Sequence, residues 1–277
     1  MQISRRTLLR VSGASAVAAA LSRLGLAAPK ATGSSAEPAR RDPVQMQLMR
    51  PGQLEAAGRG FPVVYVPFGL IEWHGRHLPL GNDALKAHGI LVKCAEQSGG
   101  VVYPPVYFHS GFDQQHLVPV LTDLFQRLKR TGFRVIMGVS GHNMQEQIDM
   151  IEQALRPVTA DGTVAGVGLW EVSLSQGPES GTDHAAKWET SNMMYLYPET
   201  VDLSELGAGP INLDMKPPSG IGGLDPREHA SARVGKRNVE LAATAIGRKA
   251  RELLASLPED HRSFGLKAVS PEHWWLV

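Results

Sequence analysis

Twelve residues of this chain, Glu72-Trp-His74-Gly-Arg-His77-Leu-Pro-Leu-Gly-Asn-Asp83, bring two carboxylates and two imidazoles together directly after an apolar run. Glu72 and His74 lie two apart, so an extended backbone sends both side chains to one side. Asp83 is placed to return to them from the start of the next helix. Borderline divalent metals take this mixture of carboxylate oxygen and imidazole nitrogen. Two further segments carry the same kind of side chain, Ser140-Gly141-His142-Asn143 and Asp183-His184-Ala-Ala-Lys-Trp188-Glu189-Thr190-Ser191. A metal-dependent hydrolase is therefore the first expectation. Ser140 is not a serine-hydrolase nucleophile, because no G-x-S-x-G surrounds it.

The elements that must position these residues follow from apolar periodicity. Val63–Pro67 reads as a strand ended by its proline and Gly69, and Asp83–Gln97 as a helix. Val101–Val106 is strand-like, and Leu117–Arg130 has helical spacing at Leu117, Val120, Leu121, Leu124 and Leu128. Phe133–Val139 is the clearest strand, followed by a helix over Met144–Leu155. Val164–Val172 and Ala185–Tyr197 repeat the pattern, and a last long helix is expected from about Glu228 to Leu257. Strands alternating with helices predict one α/β domain, with a mainly parallel central sheet flanked by helices on both faces. In such sheets ligands gather beyond the carboxyl ends of the strands, where all three polar segments fall.

Residues 1–28 are set apart from the fold. Ser4-Arg5-Arg6-Thr7-Leu8-Leu9-Arg10, a short apolar stretch and small residues near Ala28 read as a twin-arginine export signal, hence a periplasmic or otherwise exported protein. The apolar stretch is too short for a comfortable membrane span, so no stable span is expected once the signal is removed. Residues 29–46 read as a linker, 47–260 as the domain and 261–277 as a tail. The chain of 277 residues holds 28 basic and 27 acidic side chains. Setting aside residues 1–28 removes four arginines and no acid, leaving 24 against 27, a net of −3. Such a surface does not suit nucleic acid. Cys94 is the only cysteine, so the chain has no internal disulfide, and it reads as a small buried residue. Gly220-Ile-Gly222-Gly223 lacks dinucleotide-fingerprint spacing and reads as a loop near the site or an oligomer contact.

E-x-H-G-x-H-L-P-L-G-x-D from Glu72 to Asp83, the Gly141-His142 pair and H-A-x-x-x-E-T-S from His184 to Ser191 together resemble the creatininase (creatinine amidohydrolase) family. The resemblance spans roughly Pro62 to Leu203 and Gly220 to Leu241. It implies a single α/β domain, commonly assembled as a hexamer, that opens a small cyclic substrate with two divalent metals per chain, whether zinc, manganese or iron. Carried over by position, Glu72 and His142 hold one metal, His74 holds the other and Asp83 bridges both. A water activated between the two metals then attacks the substrate. His184 becomes the base or proton carrier and Glu189 the second catalytic residue. Where the family has a glutamate ligand to the second metal, this chain has Met144, so either Glu189 completes that site, ahead of Glu146, or the second metal is weakly held.

The substrate side of the resemblance is altered. The family segment before the helix leading to the G-H strand is shortened to His109-Ser-Gly-Phe-Asp-Gln-Gln-His116. One pocket tryptophan has a counterpart at Trp170, and the other falls near Ser180 and is missing. These changes argue against creatinine, and together with the export signal they tilt the expected substrate, a small cyclic amide, lactone or cyclitol- or sugar-derived ring, toward the carbohydrate-derived ring. Trp170, Trp188 and His77 are the expected substrate contacts, with His77 also suited to orienting the ligand loop. His109 and His116 are further candidates for the pocket, whereas His88, His229, His261 and His273 read as surface or core groups. Two other classes fit the same ligands: a metal-binding protein without turnover, motivated by Met144, and a metal-dependent sugar isomerase or lyase.

Overall fold

The structure, a computed structural model, describes residues 43–265 apart from 112 and 176. The export signal, most of the expected linker, most of the tail and His273 lie outside the described residues. Helix α1 (Pro51–Gly60) leads into strand β1 (Val63–Ile71), and helix α2 (Asn82–Ser98) follows. Next come β2 (Val101–Val102), β3 (Val106–His109), α3 (Gln114–Thr131), β4 (Val135–Ser140), α4 (Gln145–Thr159) and β5 (Ala165–Trp170). Helix α5 (Lys187–Leu196), the single turn α6 (Pro226–His229) and the long α7 (Ala232–Ser256) complete the order.

All strand pairings are parallel, with β2 and β3 on one flank of β1, then β4 and β5 on the other. Strand alternation divides the core into two layers. Val64, Val66 and Phe68 pack with Leu121, Phe125, Ile151 and Leu155 of α3 and α4. Val63 and Tyr65 face the opposite way, against Ile90, Leu91 and Cys94 of α2 and Val239, Ala243 and Ile246 of α7. Cys94 is fully buried, and burial pushes its thiol up to about 12. Among the described residues, no helix is long and apolar enough to cross a membrane.

Of the boundaries that differ from the expectation, four have a clear local reason. Strand β1 runs through Pro67 to Ile71 instead of stopping at the proline. Tyr65 O accepts from Tyr103 on the β2 flank and Phe68 O from Gly141 on the β4 flank. Alternation therefore turns Pro67 toward the gap between the pairs Tyr65↔Val102 and Phe68↔Val106, where no N–H is needed. The expected strand Val101–Val106 breaks into β2 and β3 because Pro104 and Pro105 fill that same gap. The last helix is interrupted before Ser231, whose hydroxyl accepts from Val234 N–H and caps α7. Helix α5 starts at Lys187 rather than Ala185, which takes a positive φ of 54°.

Candidate metal centre

Strands β1 and β4 lie side by side and end together, so the segments after them meet. The loop after β1 supplies Glu72 and His74, and the turn after β4 supplies His142. Asp83, in the first turn of α2, is pressed against both strand ends. A Cβ on Gly69 would lie 2.4 Å from Asp83 Cβ, and one on Gly141 would lie 2.0 Å from Asp83 O. Only glycine leaves room for this approach. Leu70 N–H donates to Asp83 Oδ2 at 3.3 Å, fixing the carboxylate.

The two Asp83 oxygens point to different imidazoles. Oδ1 is 3.0 Å from His74 Nε2 and Oδ2 is 3.3 Å from His142 Nδ1. Glu72 Oε1 stands 3.2 Å from His142 Nδ1 and 3.7 Å from His74 Nε2, while Glu189 Oε2 stands 3.5 Å from His74 Nε2. Three overlapping sets have ligand atoms within 4.8 Å of one another: Glu72, Asp83 and His142; His74, Asp83 and Glu189; Glu72, His74 and His184. Glu72 Oε1 and His74 Nε2 are buried without a hydrogen-bond partner. Convergent lone pairs that make no directed bond to one another fit a divalent cation, since an orphaned buried polar atom is otherwise costly.

Electrostatics agree with this reading. Burial pulls the His74 imidazole toward neutrality, but Asp83, Glu189 and Glu72 outweigh it and raise the group to about 8. His142 is raised to about 9 against the same burial effect, by Asp83 and Glu72. Burial opposes ionisation of Asp83, yet His142, His74 and Lys86 hold it well below the usual carboxylate range. The carboxylates therefore make the cluster attractive to cations.

The histidines have defined ring orientations. His74 Nδ1 faces the Glu72 carbonyl at 3.3 Å, so the tautomer that donates there frees Nε2 for the cluster. His184 stacks on His74 with ring centroids 4.5 Å apart. Its Nε2 lies 2.9 Å from Trp73 O, and its Nδ1 faces Glu72 Oε1 at 4.0 Å. With Nε2–H donated to the carbonyl, Nδ1 is the basic nitrogen on the side of the cluster.

Glu189 is held from several directions. Asp183 accepts from Trp188 N–H at 2.8 Å and Glu189 N–H at 3.1 Å, which seats the start of α5. Burial outweighs these bonds and raises the Asp183 carboxyl to about 6. Ala185 N–H donates to Glu189 Oε2 at 2.7 Å. That aim depends on the left-handed backbone of Ala185, a strain of about 1 kcal/mol or more. Lys86 Nζ contacts Glu189 Oε1 and lies 2.9 Å from Glu171 Oε1. Both Glu189 oxygens are thus engaged, with Oε2 on the side of His74.

Three hollows adjoin the cluster. One of about 260 Å³ is walled by Asp83, His142, Met144, His184, Glu189 and Met215. A second of about 280 Å³ runs from His142 past Leu70, Phe108, His109, Leu117, Met144 and Met150. A wider cleft of about 530 Å³ lies between Trp73, His184, Met215, Pro217, Pro218 and Gly220. Met144 is half exposed and walls two of the three, where it offers no hard ligand.

The expected substrate contacts fare differently from the expected ligands. His77 is 1 % exposed, its Nε2 is 2.9 Å from Thr190 Oγ1, and it lines none of these hollows. Burial lowers it to about 4, so it is a neutral strut under the site rather than a substrate contact. Trp170 and Trp188 are also absent from the three linings; Trp188 instead lies under the Lys187 ammonium, 4.0 Å from its ring centre. The aromatic residue at the cleft is Trp73, inside the opening motif, with its Nε1 donating to Ser219 O at 3.0 Å. His109 lines the second hollow, while His116 stands exposed on α3. The Gly220–Gly223 loop does reach the site, pairing Gly222 with His184 through backbone bonds of 2.8 and 3.1 Å. Lys86 and Glu171 went unread because a lone lysine in an amphipathic helix and a glutamate after a strand carry no local signature.

Comparison with known proteins identifies the family and the fold. The family model described as "Creatininase: Creatinine amidohydrolase" matches residues 47–250. A mycofactocin precursor peptide peptidase of Mycobacterium ulcerans (strain Agy99) is 27% identical over 224 residues, covering 72% of this chain and 83% of the relative. A creatinine amidohydrolase of Pseudomonas putida is 26% identical over 176 residues, covering 52% of this chain and 68% of the relative. Among solved structures, creatinine amidohydrolase (creatininase) superimposes with a TM-score of 0.62 at 22% identity, covering 76% of this chain and 98% of that one. A structure described as "Creatininase Mn" gives 0.61 at 24% identity over the same shares. At such identities the superpositions speak for the fold, and the family model, which covers most of the chain, settles the kinship. This chain belongs to the creatininase family.

Proposed function

We propose that this protein is a hydrolase dependent on two divalent metals, zinc, manganese or iron, that cleaves a C–N amide bond in a small substrate with an apolar part. The observation that carries this reading is the pair of buried, unpartnered atoms Glu72 Oε1 and His74 Nε2 inside overlapping ligand sets. Glu72, Asp83 and His142 are assigned to one ion, and His74, Asp83 and Glu189 to the other. Bound there, divalent cations supply a hydrolytic water at neutral pH and polarise the substrate carbonyl.

The chain's own residues do the rest. His184, oriented by Trp73 O, takes the proton of the attacking water at Nδ1 and returns it to the leaving nitrogen. Trp73 and the Pro217–Gly220 segment wall the substrate against bulk water. Two relatives carry names that imply cleavage of C–N bonds, one in a peptide and one in a ring, which favours an amide. The hollow beside His142 combines apolar walls from Leu70, Phe108, Leu117 and Met150 with the polar side chains of His109, Ser110, Glu146 and Gln147, so the preference for an amide over a carbohydrate-derived ring rests on those relatives.

The test uses full-length protein stripped by chelation and reloaded with a single metal. Peptide amides and cyclic amides are offered beside lactones and cyclitol-derived rings. Amide turnover that is restored by metal, with oxygen from solvent entering the acid product, is the expected outcome. Turnover confined to polyol rings, or product without solvent oxygen, contradicts it. Export through residues 1–28 and assembly into a hexamer belong to the same proposal. Cell fractionation with Arg5 and Arg6 both changed to Lys, and sedimentation of the processed protein, check those two points.

A further inference from the structure

Lys86 is fully buried on α2, one helical turn beyond Asp83. A buried ammonium persists only where carboxylates pair with it. Here two do so: Glu171, 1 % exposed just after β5, and Glu189. One buried ammonium therefore faces two carboxyl groups. A strut between α2 and the end of β5 needs Glu171 alone. The second partner is the same carboxylate that faces His74. Glu189 is thereby divided, with Oε1 on Lys86 and Oε2 accepting from Ala185 N–H while it stands 3.5 Å from His74 Nε2. A single oxygen of Glu189 is presented to the ligand set of His74 and Asp83.

We propose that Lys86 is a positioning residue that confines Glu189 to one-oxygen ligation at the second metal position and weakens that position for divalent cations. The proposal rests on the two-metal reading above. Two effects act in the same direction. Ammonium and divalent cation repel across a poorly screened interior. A carboxylate with one oxygen tied offers one donor where it otherwise offers two. The consequence is coordination space left open on the His184 side, the arrangement a catalytic rather than a structural site requires.

The experiment titrates full-length, chelator-stripped protein with Zn²⁺ against a competing chromophoric chelator, and with Co²⁺ by visible absorption. Wild type is expected to bind in two steps. His142→Ala removes the step at Glu72, Asp83 and His142 and so identifies the other. In Lys86→Met the step at His74, Asp83 and Glu189 tightens by about tenfold or more, while the other changes by less than about threefold. The cobalt bands lose intensity as the coordination number rises. Lys86→Met leaves Glu171 buried alone, so Lys86→Met/Glu171→Met, which removes both charges, keeps the test open if the single variant misfolds. Wild type binding one ion and the variant two gives the same support. An unchanged or weaker second step in a folded variant, or one ion in both proteins, reduces Lys86 to a strut and overturns the proposal. Wild type that binds neither Zn²⁺ nor Co²⁺ overturns the metal reading itself, and this proposal with it.

Discussion

The two ligand sets that share Asp83 are built differently. Glu72, Asp83 and His142 gather at the exits of two adjacent parallel strands, and the Glu72 and His142 side chains keep 15% and 18% exposure. His74, Asp83 and Glu189 are sealed, at 0%, 1% and 2%. Through His142 and Glu72 the open set borders two of the hollows beside the cluster and the wider cleft. The closed set is embedded in a polar interior of Lys86, Glu171, Asp183, His77 and Thr190, where every charge needs a partner. Proximity to strand ends suffices to assemble the first set, whereas the second depends on charge balance behind it. Changes at the open set should therefore act on chemistry, and changes at the closed set on chemistry and stability together.

The strongest test of that contrast is the residue common to both. Asp83→Asn should lower metal-dependent hydrolysis by about 10³-fold or more and remove both ions, read by turnover and metal content. Retention of one tightly held ion would show that the sets do not share it. His142→Ala and Glu189→Gln separate the sets, each reducing the metal content to a single ion. They should differ in stability, because Glu189→Gln strips a buried partner from Lys86. Denaturant unfolding of metal-free protein should show a loss of about 3 kcal/mol for Glu189→Gln, with much less for His142→Ala. Equal losses would dissolve the distinction.

His77 gives the next effect, as a pH dependence. Its imidazole is held neutral at about 4 in the fold against 6.5 when free. Between those values the unfolded chain binds a proton that the folded chain does not. The stability from this group is therefore complete above pH 6.5 and falls by about 3 kcal/mol as pH drops toward 4. His77→Gln should flatten that part of the stability profile, measured on metal-free protein. The smallest effect belongs to the open cleft: Trp73→Ala should raise KM by about fivefold while leaving metal content and unfolding unchanged.

The open set was legible in the sequence because its ligands follow apolar strands at short, fixed spacing. Periodicity likewise gave the parallel α/β order. Strand lengths around Pro67 and Pro104-Pro105 were not legible, since a proline's tolerance depends on which flank its missing N–H faces. Glu189 could be named from its motif, but its partner Lys86 lies 103 positions earlier in an ordinary amphipathic helix. Trp73 occupies an unassigned place in the opening motif, while Trp170 is singled out by its family counterpart and Trp188 by its helical spacing from His184. Which tryptophan meets the cleft depends on the Pro217–Gly220 segment folding back against the loop after β1, a pairing without a local sequence signal.

The most direct test of the whole account is anomalous-difference crystallography of the full-length protein loaded with Zn²⁺ or Mn²⁺. The account predicts two peaks, one within ligand distance of Glu72, Asp83 and His142, the other of His74, Asp83 and Glu189, with Asp83 common to both. A single peak, or peaks away from Asp83, would contradict it.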